Sequence, residues 1–177
     1  MLKTATAALA CFILPFSVQA ELHTVQNDTV ETPEVFDASD PQVIVSLFRE
    51  EGYRAILTAS DLGFYEIESA ANGYAFWLYF QACDDEGANC EIVTFSCGFD
   101  FVAPQSEAVL GTWNRDRYTK AYVDEEGDPY VEFSVNMTHG VTRENFADTL
   151  TWYTSEALDF VDQIGWEEDD TATAQPI

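Results

Sequence analysis

Cysteine, histidine and carboxylate side chains are where chemistry could sit in this chain. The sequence has four cysteines, two histidines and thirty-two acids in 177 residues. Cys83 and Cys90 bracket the six residues DDEGAN, between two strongly apolar runs. That spacing is not the paired CxxC of a zinc site or a dithiol redox site. If the two face each other across a hairpin, pairs follow inward: Gln81 with Ile92, Tyr79 with Thr94, Trp77 with Ser96. A disulfide there would hold the register, worth about 2–3 kcal/mol for so short a loop. Cys97 then falls opposite Phe76, on the face of Leu78, Phe80, Val93 and Phe95. That face reads as core, so Cys97 is expected to be a buried free thiol. Burial disfavours the thiolate that a redox or nucleophilic role needs.

The remaining candidates are weaker. His23 and His139 are isolated, and two such residues do not make an ordinary zinc site without help. There is no GxSxG, no HExxH and no glycine-rich phosphate loop. ACDDEGANC has acids ahead of a glycine, like a calcium loop. Its first and twelfth ligand positions would be Ala82 and Val93, so the match fails. Acidic neighbours are inevitable at this composition, and a carboxylate-dependent hydrolase would need a pair at a set separation. No catalytic, cofactor or metal residue is assigned, no cofactor is expected, and the chain reads as a non-enzyme. Arg115, Arg117 and Lys120 fall within six residues, although the chain has only seven Lys and Arg. They read as scaffolding beside abundant acids, because cations after a helix suit its negative end.

These residues need elements to hold them. Lys3, an apolar run from Thr4 to Val18 and the small-x-small ending at Ala20 read as a secretory signal at residues 1–20, cleaved near Ala20. The run is short for a spanning helix. Apolar residues continue past Cys11, which argues against lipidation there. The mature chain is expected to be periplasmic or secreted, with no stable membrane insertion. Residues 21–38 read as a disordered lead-in and 167–177 as a disordered acidic tail, leaving a folded domain at 39–166. Asp40, Pro41 and Gly52 cap and end a helix whose stripe is Val43, Ile44, Leu47 and Phe48. Two β segments follow around Asp61 to Gly63, then the cysteine hairpin, a short helix SEAVLGTWN, a hairpin around EEGD, and a long helix. Thr142 caps that last helix, with Phe146, Leu150, Tyr153, Ala157, Val161 and Ile164 on one stripe. The order is α-β-β-β-β-α-β-β-α, an α+β fold.

The pieces EEGYRAILT, FWLYFQACDDEGANCEIVTFSCGFDF and WNRDRYTKAYVDEEGDPYVEFSVNMTHGVT, with the amphipathic last helix, resemble the YbjN family, whose members are described as bacterial sensory transduction regulators. The resemblance spans 39–166. It departs from the family pattern at Cys97, where a small non-cysteine residue is expected. It implies an antiparallel sheet with packed helices, similar to type III secretion chaperones. Such folds bind proteins and often dimerise, so the partner is expected to be a protein and a homodimer is one allowed assembly. Fold likeness implies no reaction.

Charge sharpens the partner question. A formal charge of −25 repels nucleic acid and anionic headgroups, so no nucleic-acid partner is expected. It also allows a second function, an acidic inhibitor or sequestering protein for a basic exported enzyme. The first function is an exported, non-catalytic, protein-binding or regulatory module. Its candidate partner-binding residues are Trp77, Tyr79 and Ile92, on the hairpin face opposite the apolar one. If helices cover only the Phe76 side, these would form an exposed aromatic patch with a polar rim.

Overall fold

In the computed structural model of the chain, residues 34–59, 63–101 and 107–166 are described. The stretch 1–20 expected to be a leader, most of the expected lead-in, the acidic tail and residues 60–62 and 102–106 lie outside them. Eleven elements follow in order: β1 (Val35–Phe36), α1 (Pro41–Glu50), β2 (Ile56–Ala59), β3 (Tyr65–Ala71), β4 (Tyr74–Gln81), β5 (Ile92–Gly98), α2 (Glu107–Asp116), β6 (Lys120–Val123), β7 (Pro129–Asn136), β8 (Val141–Thr142) and α3 (Arg143–Ile164). The fold is α+β, with the helix and strand order read from the sequence plus two short strands, β1 and β8. These pair with each other, Val35 with Thr142 and Phe36 with Val141. The last lead-in residues are therefore structured: Ala38 also bridges to Cys90 and is buried.

Local chemistry starts and stops the helices. The Asp40 carboxylate accepts from the Gln42 amide at 3.0 Å, and Pro41 occupies the first turn, where no amide is needed. The buried stripe of α1 is Ile44, Val45, Leu47 and Phe48. Val45 replaces the expected Val43, because the helix turns that side toward the sheet. Thr142 caps α3 by accepting from Asn145 at 3.2 Å. Gly165 ends it in the left-handed region, where a side chain would be strained. The buried stripe of α3 holds all six expected residues and adds Phe160, against Phe99 and Trp113.

Six strands form one antiparallel sheet in the order β2-β3-β4-β5-β7-β6. Across β4 and β5 the register is Trp77–Ser96, Tyr79–Thr94 and Gln81–Ile92, as the cysteine spacing requires. Strand side chains alternate, so this register sends Phe76, Leu78, Phe80, Val93, Phe95 and Cys97 to one face. Each is at most 4% exposed. Phe48 of α1 and Tyr153 of α3 both meet Phe76 and Phe95 there. The buried Tyr153 hydroxyl donates to the Val131 carbonyl at 3.2 Å, so its polar tip is satisfied. Trp113 of α2 packs on Phe160 of α3 at 5.0 Å. All three described helices thus stand on one side of the sheet.

Candidate functional site

The opposite face is built by the same strands from the alternate residues. Hydroxyls and aromatics stand there in cross-strand rows. Thr94 Oγ1 donates to Gln81 Oε1 at 2.8 Å and shares a hydrogen bond with Ser134 Oγ at 2.9 Å. One row along, Glu132 accepts from Tyr122 OH at 2.8 Å and from Ser96 Oγ at 3.3 Å. Burial first, then the bond to Glu132, holds the Tyr122 phenol far above its ordinary range, so it stays a donor at neutral pH. Tyr122 stacks on Tyr130 with centroids 5.4 Å apart, and Lys120 Nζ lies 5.0 Å from the Tyr122 ring. The Tyr130 ring lies over Gly98: a Cβ there would come 2.1 Å from the ring. Glycine is needed at that position for room, not for backbone angle.

The three residues chosen from the sequence all lie on this face, but Trp77 is not exposed. Only 6% of it is accessible, which overturns its reading as an exposed anchor. The reason is its place in a central strand. Its cross-strand neighbours are Glu68 and Ser96, and Glu68 is held by an ion pair with Arg54. No described helix covers the indole, which is flanked by its neighbours within the sheet. Tyr79 and Ile92 remain half-buried, as do Tyr122 and Glu132. The surface offered is thus a polar and aromatic sheet face around a sunken tryptophan. Ser96 beside Glu132 has the composition of a nucleophile and a base, but Ser96 is only 2% exposed, so a substrate does not reach it.

The cysteines sit away from that face's centre. Cys83 and Cys90 are joined in a disulfide. Asp84, inside the loop they close, accepts from the Ala88 amide and Asn89 Nδ2, each at 2.7 Å. The Asn89 bond first, then that of Ala88, holds this carboxylate below its ordinary value. Gly87 presses on the β2–β3 turn, where an added Cβ would come 2.9 Å from the Gly63 carbonyl oxygen. Cys97 is a free thiol, 1% exposed and 3.2 Å from the Ala75 carbonyl oxygen. Burial pushes it up to about 12, which leaves it protonated and unreactive.

The cation cluster is used locally. Arg117 reaches Glu156 at 3.0 Å and Asp159 at 2.7 Å, and its guanidinium lies 4.9 Å from the Trp113 ring. Trp113 Nε1 donates to Thr119 Oγ1 at 2.9 Å, and Thr119 donates to buried Glu156. This network ties the α2–β6 connection to α3. Arg115 pairs with its neighbour Asp116. Sequence reasoning did not single out Tyr118, which is 82% exposed, or Trp152, which it placed off the buried stripe of α3. A tyrosine in an arginine-rich connection carried no distinguishing signal.

Among the described residues no group of His, Cys, Asp and Glu could hold a metal ion, and no helix is long and apolar enough to cross a membrane. Residues 40–166 match the family profile YbjN, described as "Putative bacterial sensory transduction regulator". No curated protein matches the chain.

Proposed function

Since the chain belongs to the YbjN family, we propose that it is an exported, non-catalytic regulatory module that binds a protein partner across the bare face of its sheet. The carrying observation is that all three described helices stand on one side, while Tyr79, Ile92 and Tyr122 on the other stay part-exposed among fixed donors and acceptors. Aromatic rings in a polar setting are the composition of protein interfaces. Export is supported by the leader at 1–20, which lies outside the described residues, and by the disulfide, which suits an oxidising compartment. The acidic sequestering reading keeps one supporting observation. Every described Lys and Arg is engaged inside the molecule: Arg49 on the Ala55 carbonyl, Arg54, Arg115, Arg117 and Arg143 in ion pairs, and Lys120 on Tyr122.

A photo-crosslinking amino acid at position 92, with the same group at Asp162 on α3 as control, tests the proposal in the producing cell. An adduct with one defined protein from position 92 alone, reduced by Tyr79→Ala, is expected. Equal adducts from both positions, or none from position 92, overturn it. Salt separates the two readings, since an electrostatic complex weakens strongly above about 0.5 M while an aromatic one does not. The N-terminus of protein recovered from the exported fraction is expected at Glu21; retention of residues 1–20 in cytosolic protein removes the export claim.

A further inference from the structure

The sheet carries an unpaired stretch of strand. β6 starts at Lys120, opposite Glu132, so it flanks β7 only over Pro129 to Glu132. Phe133 to Asn136 pair with β5 on their other side, and no described strand lies along their outer side. The direction of their backbone groups follows from Asn114. Its side-chain amide takes both outward groups of Ala121, Nδ2 donating to the carbonyl at 2.9 Å and Oδ1 accepting the amide at 2.7 Å. Ala121 therefore points away from β7, and Lys120 and Tyr122 point toward Glu132 and Tyr130. Antiparallel pairing repeats every second residue, so Ser134 and Asn136 aim their amides and carbonyls at the open side.

Aromatics flank this opening on the helix side. Trp152 of α3 meets Phe133 edge-on at 5.0 Å and Tyr118 at 5.7 Å. Trp152 is 37% exposed, and exposed Asp148 lies one helical turn before it.

We infer that Phe133–Asn136 takes an extended, arginine-rich segment of a partner protein as an added strand. Backbone pairing to Ser134 and Asn136 supplies the register. On the helix side, an arginine every second residue stacks on Trp152 and meets Asp148. Charge sets the choice of occupant. The described cations are already engaged, so the partner brings its own. A second copy would set one strongly acidic surface against another. This strand border adjoins the bare face at Ser134, but neither proposal depends on the other.

The probe is acetyl-(Arg-Thr)4-amide, added to the chain from Glu21 onward and followed by amide chemical shifts and hydrogen exchange. Protection is expected at Ser134 and Asn136, with quenching of Trp152. N-methylation of the peptide on alternate amides should weaken binding by about tenfold or more, because added-strand hydrogen bonds are lost while charge is kept. Ser134→Pro removes the outward amide together with the hydroxyl bond to Thr94, so Ser134→Ala, which loses only that bond, is its control: the proline variant should weaken binding about tenfold and the alanine variant should not. Should the proline variant fold poorly, Trp152→Ala, on an exposed helix position, should still weaken binding about fivefold. Equal binding of the N-methylated peptide, shifts centred on Tyr79 and Ile92, or a dimer of the chain that Ser134→Pro dissolves, would overturn the inference.

Discussion

The two faces of one sheet are made from alternate residues of the same strands, and they are closed by different physics. On the helix side, Phe76, Leu78, Val93 and Phe95 have no polar atoms to satisfy, and a helical layer removes them from water. On the bare side, Thr94, Ser96 and Trp77 are almost as inaccessible with no described helix above them. They are enclosed by cross-strand neighbours, with Gln81, Ser134 and Glu132 meeting the hydroxyls. Low exposure therefore has two meanings here. One face is a core, and the other is a finished surface able to meet another molecule without first being unpacked.

The sharpest way to break the comparison is to truncate adjacent residues of β5. Phe95→Ala should lose about 3–5 kcal/mol in urea unfolding. Thr94→Ala, its neighbour on the bare face, should lose about 1 kcal/mol. Equal losses would mean that the bare face is also core. The next effect concerns the register that keeps the faces apart, since a slip of one residue exchanges them. Cys83→Ser with Cys90→Ser should cost about 2–3 kcal/mol and leave strand pairing unchanged by amide exchange. On the unfolded, unreduced chain from Glu21 onward, a thiol count of one, from Cys97, is expected; three would remove the crosslink.

Smaller effects resolve the bare face itself. Tyr122→Phe should cost about 1 kcal/mol, by leaving Glu132 one donor fewer. The smallest is an acid shift at the hairpin tip. The folded value of Asp84 is lowered, so its contribution is fully present above about pH 4 and is lost as pH falls through that lower value. Asp84→Asn should flatten this part of the pH–stability curve; an unchanged slope would assign it to other carboxylates, Asp37 among them.

Local signals made much of the fold legible. Asp40 and Pro41 start α1, Thr142 and Gly165 bound α3, and cysteine spacing with period-2 alternation sets the β4–β5 register. Distant neighbours were not legible. β7 inserts between β5 and β6, so Thr94 meets Ser134 and Ser96 meets Glu132 across about forty residues of chain. That insertion builds the polar rows, and sheet neighbours on both sides of β4 enclose Trp77. The two-residue strands β1 and β8 were missed because two residues carry no period. The site at Phe133 depends on where β6 begins, which is the least determined feature of any strand reading.

Asn114 has a consequence for the protein in concentrated solution. A sheet border with free amides and carbonyls is a template on which identical chains stack into fibres. At Ala121 the template is already occupied by a side chain of the same molecule, whose amide offers the donor and acceptor that another copy would bring. One asparagine thus closes the β6 border at Ala121 to a further strand. Its replacement by alanine would show first as turbidity and thioflavin-positive growth on storage, before any change in what the protein binds.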